Sequence, residues 1–162
     1  MRDVLVHPGW WGLAAACWLA ACAVPLAVID ATARRLPDWL TIPAWAGTLA
    51  LLAPAGWPAF ERALLGGPAL AGFYLALVLI SPSGMGLGDV KAAGSLGSLL
   101  AWAGWRTLFF GGFAGFALAA VYGAVLLACG RISRKQQIPF GPFMIAGAFA
   151  VLLTLLVPGA RH

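Results

Sequence analysis

The segment Gly84-Met85-Gly86-Leu87-Gly88-Asp89-Val90-Lys91 sets three glycines at alternate positions ahead of a carboxylate, with apolar sequence running away on both sides. A charged group at the edge of hydrocarbon is costly to hold, so an acid in such a place is a functional-site candidate by default. Glycine lets backbone approach closely or adopt conformations that a β-carbon forbids. The sequence around Asp89 decides what kind of fold holds it and which groups it can work with.

Hydrophobic residues make up 62% of the 162-residue chain and charged residues 9%, whereas an ordinary soluble domain carries about 25% charged residues. Mean hydropathy is +0.93. Repeated apolar runs with so few charges cannot all be core helices of one small globule, which predicts an all-α polytopic membrane protein. A span needs about 20 residues. Six spans joined by tight loops therefore fill residues 1–162 as a single membrane-embedded domain. The net charge of +5 does not point to nucleic acid, because the basic residues are scattered between apolar runs and form no basic face interleaved with aromatics. Cys17, Cys22 and Cys129 fall inside apolar runs without a C-x-x-C pair, a pattern of buried free thiols rather than of zinc or disulfides.

Taken in order, the spans are expected at about 10–29, 39–54, 60–80, 90–104, 107–129 and 139–157. The first carries no charge from Trp10 to Ile29. It is read as a retained helix and not a signal peptide, since Asp3 spoils the basic flank and the run is long for a signal core. Trp10 and Trp11 are its interfacial anchors. Asp38 stands where an N-cap of the second helix belongs, and Ala53-Pro54 ends that helix. Glu61 and Arg62 mark the following turn, and Ser81-Pro82-Ser83 stops the third run. In the fifth, Gly111, Gly112, Gly115 and Gly123 are available for close helix contacts.

Six spans put both termini on one side. Arg34, Arg35, Lys91, Arg131, Arg134 and Lys135 fall on one face of the membrane, and Arg2, Arg62, Arg106 and Arg161 on the other. Excess Lys and Arg marks the cytoplasmic side, so the first, third and fifth loops are expected there and the N-terminus outside.

The chain holds five acids: Asp3, Asp30, Asp38, Glu61 and Asp89. This topology brings Asp30, at the end of the first span, and Asp89, at the start of the fourth, to the cytoplasmic edge. Two carboxylates at low dielectric cannot both ionise cheaply and share a proton. The protonated one then polarises a carbonyl while the other activates water. His7 and His162, the two histidines, lie in tail positions on the opposite side, which leaves no Ser-His or Cys-His device at the cytoplasmic edge. Each aspartate also has a plainer role open to it. Asp30 could be an ordinary helix-end charge, and Asp89 a cap of the fourth helix or a partner of Lys91.

These residues carry a resemblance. Gly86-Leu87-Gly88-Asp89 matches the GxGD signature of intramembrane aspartyl proteases. The segment from Ile29-Asp30 through Arg34-Arg35-Leu36-Pro37-Asp38 resembles the first motif of type IV prepilin peptidases, and Ile138-Pro139-Phe140-Gly141-Pro142 resembles their late motif. Presenilin-like proteases share GxGD but carry a Pro-Ala-Leu motif near their end, and this chain has none there. The resemblance covers roughly residues 15–158. It implies an aspartyl endopeptidase of the cytoplasmic (inner) membrane that cuts the basic leader from prepilins or pseudopilins, with Asp30 and Asp89 as the catalytic pair. Many bacterial relatives add a cytoplasmic region with paired C-x-x-C motifs tied to N-methylation. The resemblance therefore implies a short form without that activity, like those serving Flp/Tad-type pili or archaeal preflagellins.

Other roles are secondary. Gly86 and Gly88 are read as letting the loop bring Asp89 toward Asp30. Lys91 either orients an acid or snorkels to the interface. Asp38 is an N-cap or a third acid attracting the leader, and Pro139, Phe140, Gly141 and Pro142 are candidates for the wall of the site. Arg34, Arg35 and the Arg131–Lys135 loop set topology. The reading calls for no cofactor and no metal, and for two partners, the leader peptide and the lipid bilayer. A small channel or transporter with Asp30 and Asp89 lining an ion path is the alternative from another class, and a non-catalytic assembly protein the third.

Overall fold

The computed structural model describes residues 10–33, 38–80, 86–130 and 140–156. Among these residues there are six α-helices and no strand: α1 (Trp10–Ala33), α2 (Asp38–Leu52), α3 (Trp57–Ile80), α4 (Leu87–Ala103), α5 (Trp105–Ala128) and α6 (Gly141–Leu156). A 3-10 turn, Ala53–Ala55, follows α2. Two helices, α3 and α5, are long and apolar enough to cross a membrane. Their outward faces are apolar as well: Phe73, Leu79, Phe109, Phe113 and Val121 are all exposed. A water-facing surface rarely carries so large a contiguous apolar patch. Exposed tryptophans stand at the helix starts, Trp10, Trp39, Trp57 and Trp105, where an amphipathic ring suits a membrane–water boundary.

The bundle is built around α4, which packs against α1, α2, α3, α5 and α6 and is buried without interruption from Ala93 to Ala101. The sequence there, Ala93-Gly94-Ser95-Leu96-Gly97-Ser98, is dominated by small residues. Small residues let helix backbones approach where no hydrophobic gain is on offer. The seam with α3 is the tightest. A Cβ at Gly97 would lie 2.6 Å from the Gly66 carbonyl oxygen and 2.8 Å from Leu70 Cβ, and one at Gly67 would lie 2.8 Å from the Gly94 oxygen. A second seam joins α5 to α6, where a Cβ at Gly115 would lie 2.8 Å from Met144 Cα.

Partner residues rise along one helix as they fall along the other. On α3 and α4, Arg62 meets Ala101 and Trp102, Gly67 meets Ser98 and Leu70 meets Gly97. On α1 and α2, Trp18 donates its indole N–H to the Ala44 carbonyl at 3.3 Å, and Gly12 of α1 lies against the Trp102 ring of α4. The α3–α4 series shows that this pair runs antiparallel. Gly56 (φ 97°), between α2 and α3, and Gly104 (φ 151°), between α4 and α5, take values that a side chain would strain.

Several expected boundaries shift. Helix α3 begins at Trp57, so Glu61 and Arg62 lie in its second turn and do not mark a turn between spans. From there Arg62 reaches the end of α4: its Nε donates to the Ala101 oxygen at 3.3 Å and its Nη2 to the Trp102 oxygen at 3.2 Å. The last carbonyls of a helix have no partner within it. Here Gly104 N–H serves Leu100 and Arg62 serves the next two. Replacing Arg62 with Ala is expected to lower stability by about 1.5–3 kcal/mol, the range for a hydrogen bond to a charged group, with Lys restoring only part of it. Denaturant-induced loss of helicity in detergent measures the difference. Helix α4 begins at Leu87, several residues before the expected start. Cys17 and Cys129 are exposed and Cys22 is half-buried. The thiols are free as expected, but two of the three face outward, since an apolar run here supplies an outer face as well as a core.

Candidate active site

Asp89 is the one acid whose side chain lies buried among the described residues, at 4% exposure. It occupies the first turn of α4, where its Oδ2 accepts the backbone N–H of Gly86 at 3.3 Å and its own N–H bonds the Gly86 carbonyl at 3.1 Å. The carboxylate thus closes the helix start, in the place where the helix dipole favours negative charge. The plainer capping role is therefore real, and the same cap holds the side chain still.

The glycines do less than their spacing suggests. Gly86 sits at φ −84°, ψ 152°, a conformation open to any residue. A Cβ there would meet only ordinary contacts, at 3.8 Å and beyond. Gly88 is the second residue of the helix. Asp89 is therefore carried by a helix and not by a flexible loop, because the cap and the packing of α4 outweigh the weak helix propensity of the glycines. Lys91 is exposed one step further along.

Asp30 lies in the last turn of α1. Gly12 lies against Trp102, and Trp18 bonds Ala44 beside Trp45, which bonds Ser98, so α1 and α4 run in opposite senses; Asp30 stands about 27 Å along α1 from the Gly12 contact and Asp89 about 20 Å along α4, at 1.5 Å per residue. The two backbones reach the same end of the bundle, with Asp30 about a turn further out. The Asp30 and Asp38 side chains lie outside the described residues, as do Pro139, Arg34, Arg35 and the Arg131–Lys135 loop. Asp38 itself is the first residue of α2. That helix is fastened to α4 by Trp45, which donates its indole N–H to Ser98 Oγ at 2.9 Å and lies over Gly94 at 3.4–3.5 Å from the position of a Cβ.

The late motif meets the site through Phe140. Its carbonyl accepts the N–H groups of Phe143 and Met144, both at 3.1 Å, and so starts α6. Its buried ring packs 4.9 Å from Phe116 and 5.6 Å from Tyr74, centroid to centroid. Gly141 is buried behind it, whereas Pro142 is exposed. Tyr74 is not legible as a site residue in the sequence. It is fully buried, lies within electrostatic reach of the Asp89 carboxylate, and donates its hydroxyl to the Gly112 carbonyl at 3.2 Å. The available signal is a rare tyrosine in an apolar run, and it gains meaning only once the α3–α4 register brings position 74 to the Asp89 end.

A family model described as the type IV leader peptidase family matches residues 13–158. A prepilin leader peptidase/N-methyltransferase of Aeromonas salmonicida is 35% identical over 153 residues, covering 90% of this chain and 50% of the relative. Proteins of the same name from Burkholderia pseudomallei and Pseudomonas aeruginosa are 35% and 33% identical, covering 85% and 88% of the chain and 45% and 47% of their own lengths. The chain spans about half the length of the curated relatives it matches. No solved structure matches it.

Proposed function

The chain belongs to the type IV leader peptidase family, and on that premise we propose that it is a membrane aspartyl endopeptidase removing the basic leader of type IV prepilin-like substrates, with Asp30 and Asp89 as its catalytic pair. The observation that carries this reading is a buried carboxylate, Asp89, fixed at a helix start, and the contacts along α1 and α4 support laying the Asp30 end of α1 toward it. Burial favours one shared proton over two charges. The ionised carboxylate takes a proton from water as the resulting hydroxide adds to the scissile carbonyl. The protonated carboxylate gives its proton to the developing oxyanion. Collapse of the tetrahedral adduct, with a proton delivered to the departing nitrogen, yields the leader's carboxylic acid and a new pilin amine.

The membrane arrangement belongs to the same proposal. Six spans, an outside N-terminus and a site at the cytoplasmic edge of the inner membrane fit the antiparallel order of the helices, the tryptophans at their starts and the charge clusters of the odd-numbered loops. Small prepilins or pseudopilins of the Flp/Tad type are the proposed substrates, and leader cleavage is the activity proposed for these 162 residues. An ion path through the bundle axis finds no support, since α4 itself fills that axis.

The test is direct. The purified protein in nanodiscs is incubated with a peptide carrying a basic leader joined to an apolar helix, and products are read by mass spectrometry. A single cut at the leader boundary is expected. A folded protein that leaves the peptide whole overturns the reading.

A further inference from the structure

Two rigid halves meet at the Asp89 end. The first is the α3–α4 seam, fixed through Gly66, Gly67, Gly94 and Gly97, and the second is the α5–α6 pair, fixed where Gly115 and Gly147 let the backbones touch. Further from Asp89 the halves engage through Leu100 against Gly111 and Leu70 against Gly112. Those contacts are side-chain ends on glycine, and a flexible leucine gives way readily. Nearer Asp89 the halves are joined by aromatic rings. Tyr74 of α3 stacks on Phe116 of α5 at 5.6 Å with planes 18° apart, and both rings pack on Phe140 at the head of α6. The Tyr74 hydroxyl adds a hydrogen bond to Gly112 of α5. Stacked and tilted rings at these distances have defined geometry and contribute beyond the area they bury.

We infer that Tyr74 is a positioning residue for the site: its ring, packed against both Phe116 and Phe140 in one three-ring cluster, sets the distance between the Asp89 end of α4 and the first turn of α6. The inference rests on the peptidase reading. It assigns Tyr74 a part in the geometry of the reacting complex and no proton of its own. The phenol is committed to Gly112, so the ring carries the effect and the hydroxyl only steadies it. Phe140 transmits it, because its carbonyl starts α6 while its ring touches Tyr74.

The experiment compares Tyr74→Leu, Tyr74→Phe, Phe140→Leu and the Tyr74→Leu/Phe140→Leu double variant on the leader peptide, each with its folded fraction measured. Leu52→Ala, a fully buried residue at the far end of the bundle, supplies a control that is destabilised away from the site. Misplacement by about 1 Å can cost about 100-fold in rate. Tyr74→Leu is accordingly expected to lower kcat of the folded fraction by about 10- to 100-fold, with KM changed far less. Tyr74→Phe should restore most of it. Phe140→Leu should lower kcat in the same way, and the double variant should be no worse than either single one, as for residues acting through one contact. Leu52→Ala should lose stability and keep kcat. Wild-type kcat in folded Tyr74→Leu, a Phe variant as damaged as the Leu variant, or an equal kcat loss in Leu52→Ala overturns the inference. If Tyr74→Leu does not fold, Phe140→Leu decides alone: unchanged kcat there overturns it too. A wild-type protein that fails to cut the peptide refutes the peptidase reading, whereas an active wild type with these outcomes refutes only the role of Tyr74.

Discussion

Asp89→Asn is expected to remove leader cleavage while leaving the helix that carries it intact. The asparagine amide oxygen can accept the Gly86 N–H that Oδ2 accepts at 3.3 Å in the native protein, and asparagine caps helices about as well as aspartate. What it cannot do is hold or release the proton that the chemistry moves. Loss of a positioned acid or base costs about 10²- to 10⁴-fold, and a pair sharing one proton has no spare member. Asp30→Asn should therefore be as damaging as Asp89→Asn, and the double variant little worse than either, as for groups that act as a unit. Asp38→Asn should retain activity if that residue only caps α2. The measurement is the rate of peptide cleavage by protein whose circular dichroism matches wild type. Activity surviving at either Asp30→Asn or Asp89→Asn would sink the pair as assigned.

Gly97→Val should destabilise the bundle steeply. A Cβ at this position would sit 2.6 Å from the Gly66 oxygen, 2.8 Å from Leu70 Cβ and 3.2 Å from Gly67 Cα. Two of those three atoms are backbone and cannot rotate aside, so α3 and α4 must separate along the length of their seam. Overpacking of a tight core costs about 1–3 kcal/mol and sometimes more, out of a total stability of about 5–15 kcal/mol for a typical protein. Valine adds its methyls on top of the Cβ clash. The graded comparison is informative. Gly111→Ala meets the movable end of Leu100 at 2.7 Å, and Gly72→Ala meets nothing within 4 Å. Unfolding midpoints in detergent are expected to fall steeply for Gly97→Val, modestly for Gly111→Ala and not at all for Gly72→Ala. A Gly97→Val protein as stable as wild type would mean that the seam is not as close as described.

Much of this is legible in the order of the residues alone. Apolar runs set off by Pro, Gly and paired charges locate the helices to within a few residues, because the backbone of a span must be satisfied internally and helices do that. Asp89 stands out because a charge in such sequence is expensive. Asp30 alone reads as an ordinary helix-end charge; the expected topology pairs it with Asp89, and the resemblance adds the catalytic assignment. What stays hidden depends on pairing. Arg62 looks like a turn charge until the carbonyls of Ala101 and Trp102 come within reach of it. Leu87 to Val90 looks like a glycine loop until the Asp89 cap closes it. Tyr74 is one apolar-run residue among many until α3 and α4 are laid antiparallel. Cys17 and Cys129 read as inward-facing but are exposed, because a membrane protein's apolar residues do not announce whether protein or lipid covers them.

The central helix also bears on how the molecule is made. At 17 residues, α4 rises about 25 Å, less than the roughly 30 Å of hydrocarbon in a bilayer. It bears Asp89 and Lys91 at one end and Ser95 and Ser98 within. Such a segment has little reason to leave the translocation machinery for lipid by itself. Its natural environment is the glycine face of α3, so the two should enter the membrane as one hairpin, with α3 as the anchor and α4 as the passenger. The Gly97→Val chain supplies the readout: a reporter fused after Gly104 should cross the membrane in the native sequence and stay behind in the variant. On the peptidase reading proposed above, Asp89 then reaches its working depth only once α4 has docked, and a half-inserted chain is expected to be inert.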